Sequence, residues 1–184
     1  MSQTLTFENA LKNLYFGVDI KKASSSLVDT LMTVQNLHHS DTVVRQSNLN
    51  INMQLKTDKE AWNYRHIFIF TKSPLPGLKI DSGYIEASIG EAPEIKKLLG
   101  VNWCVQFDNK IDAEKFYNKL IETFAPLSTK QKTGYDKDVG HIAQYSTRKE
   151  EDKGIRDITF CFGKSPRTKK FEITLLLANE FMNE

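Results

Sequence analysis

The chain of 184 residues carries four histidines, two cysteines, a serine triplet and a few paired carboxylates that could do chemistry. His38 and His39 are adjacent, so on a helix or a strand their side chains diverge and one metal ion cannot readily use both. His66 and His141 stand alone in strand-like runs. Cys104, Cys161 and the histidines could still meet in space, but no C-x-x-C or H-x-x-x-H spacing supports zinc. A nucleophilic serine needs a partnered base and a strained turn such as G-x-S-x-G. Ser24, Ser25 and Ser26 have neither, and they stand where a helix cap is needed. Gly17, Gly77 and Gly83 are dispersed, and none opens a phosphate-cradling loop.

Carboxylates fare no better. Glu150 and Glu151 sit among lysines at a charged tip, whereas general acid catalysis needs a carboxyl desolvated in a cleft. Asp108 and Asp112 are explained by the start of a helix. The basic turn Lys164 to Lys170 lies near Phe160, Phe162 and Phe171, superficially like aromatic strands that stack on single-stranded RNA. Those rings serve better as the floor a helix needs. Each cysteine reads as a buried free thiol; the alternative is one disulfide between neighbouring strands, which would favour export. No catalytic, cofactor-binding or metal-ligating residue is nominated, and no cofactor is implied.

The elements that position these residues centre on NKIDAEKFYNKLIETFA, positions 109–125. Ala113, Phe116, Tyr117, Leu120, Ile121 and Phe124 recur at three- and four-residue spacings and form one apolar stripe on a helix. Asn109 or Asp112 can cap its start, and Pro126 stops it. Such a stripe needs an apolar floor, which the flanking strand-like segments supply. The expectation is a helix resting across an antiparallel sheet with no reactive cleft beneath.

Two shorter helices are expected before it. One spans Phe7 to Leu14, capped by Thr6. The other runs from Ser24 or Ser25 to Leu37, with Leu27, Val28, Leu31, Met32 and Val34 on its apolar side. From Val43 the period changes to two, and Leu49, Ile51, Met53 and Leu55 alternate with Asn and Gln as in a strand. Further strands are expected at Trp62–Thr71, Lys79–Ile89, Val101–Phe107, His141–Thr147, Ile155–Phe162 and Lys170–Asn179. Gly83 marks an expected bulge. Residues 90–100 read as a short helical connection with Pro93 early and Gly100 at its end, and Leu127 to Val139 reads as an exposed loop. Leu176 and Ala178 suggest that the last strand is buried on both sides.

The fold class is therefore α+β: an antiparallel sheet of about seven strands crossed by helices. It forms one compact domain, with a layout open to division into two helix-then-meander halves, 1–108 and 109–184. Apolar content of 40%, charged content of 26% and a net charge of +2 suit a folded globular chain. No basic face announces nucleic acid. No apolar run reaches the ~18 residues that span a bilayer. The start lacks the order of a signal peptide, so the cytoplasm, or export with a trimmed leader, both fit.

Phe16, Gly17 and Val18, followed by Leu27, Val28 and Leu31, resemble the aromatic-Gly-aliphatic step and short helix of β-lactamase-inhibitor-protein-like modules and small bacterial envelope lipoproteins. The resemblance covers the first half and the general layout of the second. It implies a non-enzymatic, protein-binding role and assigns no functional residue. The resulting expectation is a binding or structural module that contacts another protein. The alternative is a small-ligand-binding protein or enzyme with a pocket between the 109–125 helix and the sheet.

Overall fold

The computed structural model describes residues 5–20, 24–46, 49–147 and 157–178. The helices are α1 (Phe7–Leu14), α2 (Leu27–Met32), α3 (Leu49–Leu55) and α4 (Lys110–Phe124). The strands are β1 (His38–Gln46), β2 (Trp62–Phe70), β3 (Ser82–Ala92), β4 (Ile95–Phe107), β5 (Lys130–Asp136), β6 (Gly140–Ser146), β7 (Asp157–Lys164) and β8 (Phe171–Ala178). They form one eight-stranded sheet in the order β1-β2-β3-β4-β8-β7-β6-β5, and every neighbouring pair is antiparallel. Two four-stranded meanders thus meet at β4 and β8, leaving β1 and β5 as the edges.

α4 forms as its stripe dictates. The Asn109 side chain accepts a 2.8 Å hydrogen bond from the Asp112 backbone N–H, satisfying a donor that the first turn leaves free. Ala113, Phe116, Tyr117, Leu120 and Phe124 are buried. They lie on Trp103, Val105 and Phe107 of β4, Ile173 and Leu175 of β8, and Phe160 and Phe162 of β7, all within one core. α1 joins the same core, with Phe7 edge-on to Phe124 at 5.3 Å between ring centres. Thr6 caps α1 by accepting from the Asn9 N–H at 3.2 Å.

Seven expectations give way. The alternating run at 49–55 is a helix, not a strand. Ile51 and Leu55 are four apart and so also share a helical face; they pack on Ala61, Ala92, Ile95 and Leu99 while Met53 is exposed. The sheet edge it would have occupied is taken by β1. α2 stops at Met32, well short of Leu37; Thr30, Thr33 and Val34 are weak helix formers, and the Thr33 hydroxyl donates back to the Thr30 carbonyl at 2.8 Å. Its serines do not cap it by side chain: Ser24 and Ser26 hydroxyls bond each other at 2.7 Å instead.

The supposed helical connection at 90–100 is a hairpin. Pro93 occupies the first central turn position and Glu94 the second with φ of 66°, the positive value a type II turn requires there. β4 therefore starts at Ile95, and the bulge lies near Leu99, opposite the Ser88–Ile89 step, rather than at Gly83. The polar stretch expected to be a loop contains β5, whose seven residues are all exposed; a strand that buries no side chain shows no apolar alternation. Finally, β8 is not buried on both faces, because Leu176 is 51% exposed. The tip at 148–156, with Glu150 and Glu151, lies outside the described residues.

Pleat alternation divides the sheet into two faces. α1, α2 and α4 cover one face over the main core. α3 covers only one end of the other: a Cβ on Gly90 would point at Leu55 and Leu99, 2.9 Å from each. The rest of that second face, over β3, β4, β8 and β7, carries no helix among the described residues.

Candidate functional site

The histidines separate as their adjacency requires. His38 lies opposite Ile69 on the uncovered face, and His39 opposite Phe68 on the helical face. His39 and His66 meet across the β1–β2 pair with ring centres 5.7 Å apart. The Thr42 hydroxyl bonds both, at 3.1 Å to His39 Nε2 and 3.1 Å to His66 Nδ1. Burial, together with the charges of His39 and Lys96, pushes the His66 pKa down, and Asp29 opposes the shift. His141 is distant from this pair by topology and stacks on Phe162 with ring centres 5.9 Å apart. Among the described residues, no group of three or more His, Cys, Asp or Glu side chains is placed to hold a metal.

The two cysteines share a face but not a neighbourhood. Cys104 and Cys161 are both register partners of Thr174, one on each side. Two strand spacings put their Cα atoms about 9.5 Å apart, beyond the ~7 Å that a disulfide spans. Both thiols are free and buried. Burial pushes the Cys104 thiol up to about 12 and raises that of Cys161 as well, so neither is an activated nucleophile at neutral pH.

The space beneath α4 is filled by its own aromatic residues. At its N-terminal end an open hollow of 270 Å³ remains, lined by Lys110, Tyr135, Lys137, His141, Lys164 and Phe171 among others. Lys164 Nζ stands 5.4 Å from the centre of the Phe171 ring. The basic turn therefore uses one lysine on an aromatic ring, while Phe160 and Phe162 are buried core.

The remaining feature is the uncovered face itself. Register runs through Ile69, Tyr84, Cys104, Thr174, Cys161 and Ile142, one residue from each of six consecutive strands. The row contains no charged side chain. Ile69 is 40% exposed, and Leu176, two residues along β8, is 51% exposed. Beside the row, Glu86 is buried and accepts from Arg65 and, at 3.2 Å, from Asn102. Arg65 and Glu86 thus neutralise each other, while Glu172, on the same face of β8, is a further carboxylate that accepts from Gln106 at 2.9 Å and from Thr168 at 2.8 Å. Sequence reasoning read Cys104 and Cys161 as buried thiols and Leu176 as part of a second buried face, but did not join them into one row, because the β4–β8 pairing leaves no local pattern. The available signal was chemical: in Trp103-Cys104-Val105 and Phe160-Cys161-Phe162 the intervening residue is a thiol, not a charge.

No described helix is long and apolar enough to cross a membrane. Comparison with protein-family models, with curated proteins and with solved structures finds no match, and so brings no relative to bear on the resemblance carried by Phe16, Gly17 and Val18.

Proposed function

We propose that the chain is a binding module that presents the uncovered face of its sheet to another protein. The observation that carries this is the uncharged row from Ile69 to Ile142, bordered by exposed Leu176, on a face that α3 covers only at one end. Antiparallel sheets ordinarily line such a face with polar and charged side chains. Here the central row carries no charge, and Ile69 and the neighbouring Leu176 expose apolar surface beside it, as in the core of a protein interface with its polar rim. The partner this chemistry fits presents apolar side chains and little net charge, so binding should depend weakly on salt.

A photo-crosslinking residue tests the reading directly. Placed at Leu176, it should give a discrete protein adduct in cells, whereas the same residue at Lys119, on the solvent side of α4, should give none. Equal yields at both positions would remove the proposal.

A second reading rests on the hollow at the start of α4, where Lys137, Lys164 and Lys110 (which also pairs with Glu114 at 3.0 Å) outnumber the one lining carboxylate, Asp138, around Tyr135 and Phe171. Those groups suit a small anionic ligand with a flat apolar part. Titration with inorganic pyrophosphate, read by thermal shift, should then raise the melting temperature of the native chain but not of a Lys164→Gln variant; no shift in either discards this reading.

A further inference from the structure

The sheet ends in two unlike edges. β1 is irregular: its pairing with β2 slips between His39 and Asp41. A bulge of this kind turns an edge away from further pairing. β5 is regular. It pairs residue by residue with β6 from Lys130 to Asp136 without a slip, and all seven residues are exposed. Among the described residues nothing pairs with its other edge.

The sequence of β5 is complementary to itself. In an antiparallel pairing about a two-fold axis at Thr133, Lys130 lies opposite Asp136 of the second copy, twice by symmetry. Gln131 faces Tyr135, Lys132 faces Gly134, and Thr133 faces Thr133. Opposite charges and Thr–Thr pairs directly across a sheet are both favourable. Gly134 leaves room for the Lys132 stem, since a Cβ there would meet nothing within 4 Å. Other registers are worse. A one-residue slip sets side chains of opposite faces against each other. Centring on Lys132 places two lysines together on the axis, and centring on Gly134 leaves Lys130 and Gln131 unpaired. Lysines on an exposed edge usually prevent association; here the same strand supplies the compensating carboxylate.

The position of that carboxylate is fixed. Asp136 Oδ1 accepts from the N–H groups of Asp138 and Val139, at 2.8 and 3.1 Å, which leaves Oδ2 for the Lys130 ammonium of the other copy. By contrast, self-pairing of β1 about Thr42 would set His39 against Arg45. We propose that β5 is a homodimerisation edge: two copies of this chain pair antiparallel through Lys130–Asp136 about Thr133, joining their sheets into one of sixteen strands. The interface is small, so the dimer is weak and concentration-dependent. It is independent of the uncovered face, which stays open in the dimer.

Sedimentation velocity of the full chain across a dilution series tests this. The wild type should pass from a 21.1 kDa monomer to a dimer as concentration rises. Lys130→Glu, which sets Glu against Asp twice, should weaken the dimer about tenfold. Adding Asp136→Asn to Lys130→Glu keeps the turn, removes the repulsion and should recover part of that loss. Unchanged melting temperatures would show that the exposed substitutions leave the fold intact. A wild type that stays monomeric at the highest concentration overturns the proposal. So does a dimer indifferent to Lys130→Glu but lost on Leu176→Asp, which would place self-association on the uncovered face. Open-ended oligomers would also overturn it, because they require a head-to-tail contact.

Discussion

The indole N–H of Trp103 donates a 3.0 Å hydrogen bond to the carbonyl of Leu14, tying the middle of the sheet to the last turn of α1. Both residues are essentially fully buried. A helix leaves its last carbonyls without intrahelical partners, and at Leu14 water is excluded. Trp103 also packs at ring-centre distances of 6.3 Å from Phe116 and 6.5 Å from Phe70. One side chain therefore joins α1, α4 and two strands.

Trp103→Phe should accordingly destabilise the chain by about 2–4 kcal/mol. The loss combines a buried carbonyl left without its donor, about 1–3 kcal/mol, with the cavity left by the smaller ring. Urea unfolding at neutral pH measures it. A change below about 0.5 kcal/mol would show that the bond does not anchor α1.

Much of this arrangement was legible in the sequence. The 109–125 stripe, its Asn109 cap and the alternations around Ile85, Trp103 and Ile173 identified the core face, because burial on one side imposes a period. What stayed hidden lacked that imprint. β5 has no buried residue, so nothing in its pattern distinguishes it from a loop. Ile51 and Leu55 satisfy strand and helix spacing alike, and only the occupation of the edge by β1 decides between them. The uncovered face was invisible for a different reason: Tyr84, Cys104, Thr174 and Cys161 become one surface only through the β4–β8 junction, a pairing between residues about seventy apart in the chain.

The His39–Thr42–His66 group gives a pH dependence. The folded His66 binds a proton less readily than a free imidazole, first because it is partly buried and then because His39 and Lys96 face it, with Asp29 opposing. In the unfolded chain the same ring protonates near pH ~6.5. Below that value the unfolded state takes up the proton first, so stability is intact above about pH 6.5 and falls as the pH drops. Urea midpoints should decline from about pH 7 to about pH 5, and His66→Gln should flatten part of that decline. An identical slope in the variant would refute the assignment.

The thiols predict a labelling pattern. Cys104 is pushed up to about 12, mainly by burial with the nearby Glu172 adding to it, while a hydrogen bond with Tyr84 acts the other way. At pH ~8 the folded chain should react with Ellman's reagent at neither cysteine, and the urea-unfolded chain at both. A disulfide would leave the unfolded chain unreactive. The sign under alkali follows: unfolded thiols ionise near ~8.5, below the folded value, so stability declines as the pH rises beyond about 9. Rapid labelling of the native chain would show that the row is more open than its burial indicates.

Gly83 and Phe70 provide the sharpest packing test. They are register partners across β2 and β3, and a Cβ on Gly83 would fall 2.3 Å from the Phe70 ring and 2.8 Å from the Cys104 carbonyl. The ring has no easy retreat, being 2% exposed and edge-on to Phe16 at 4.9 Å. Gly83→Ala should therefore cost about 1–3 kcal/mol, the range for overpacking a filled core. Shortening the obstructing ring with Phe70→Leu should make the added methyl less costly, so the double variant should be more stable than the sum of the singles predicts. Gly100→Ala is the control: no atom lies within 4 Å of its Cβ position, and stability should change by less than about 0.5 kcal/mol. If Gly83→Ala behaves like Gly100→Ala in urea unfolding, the ring does not rest on the Gly83 backbone as described.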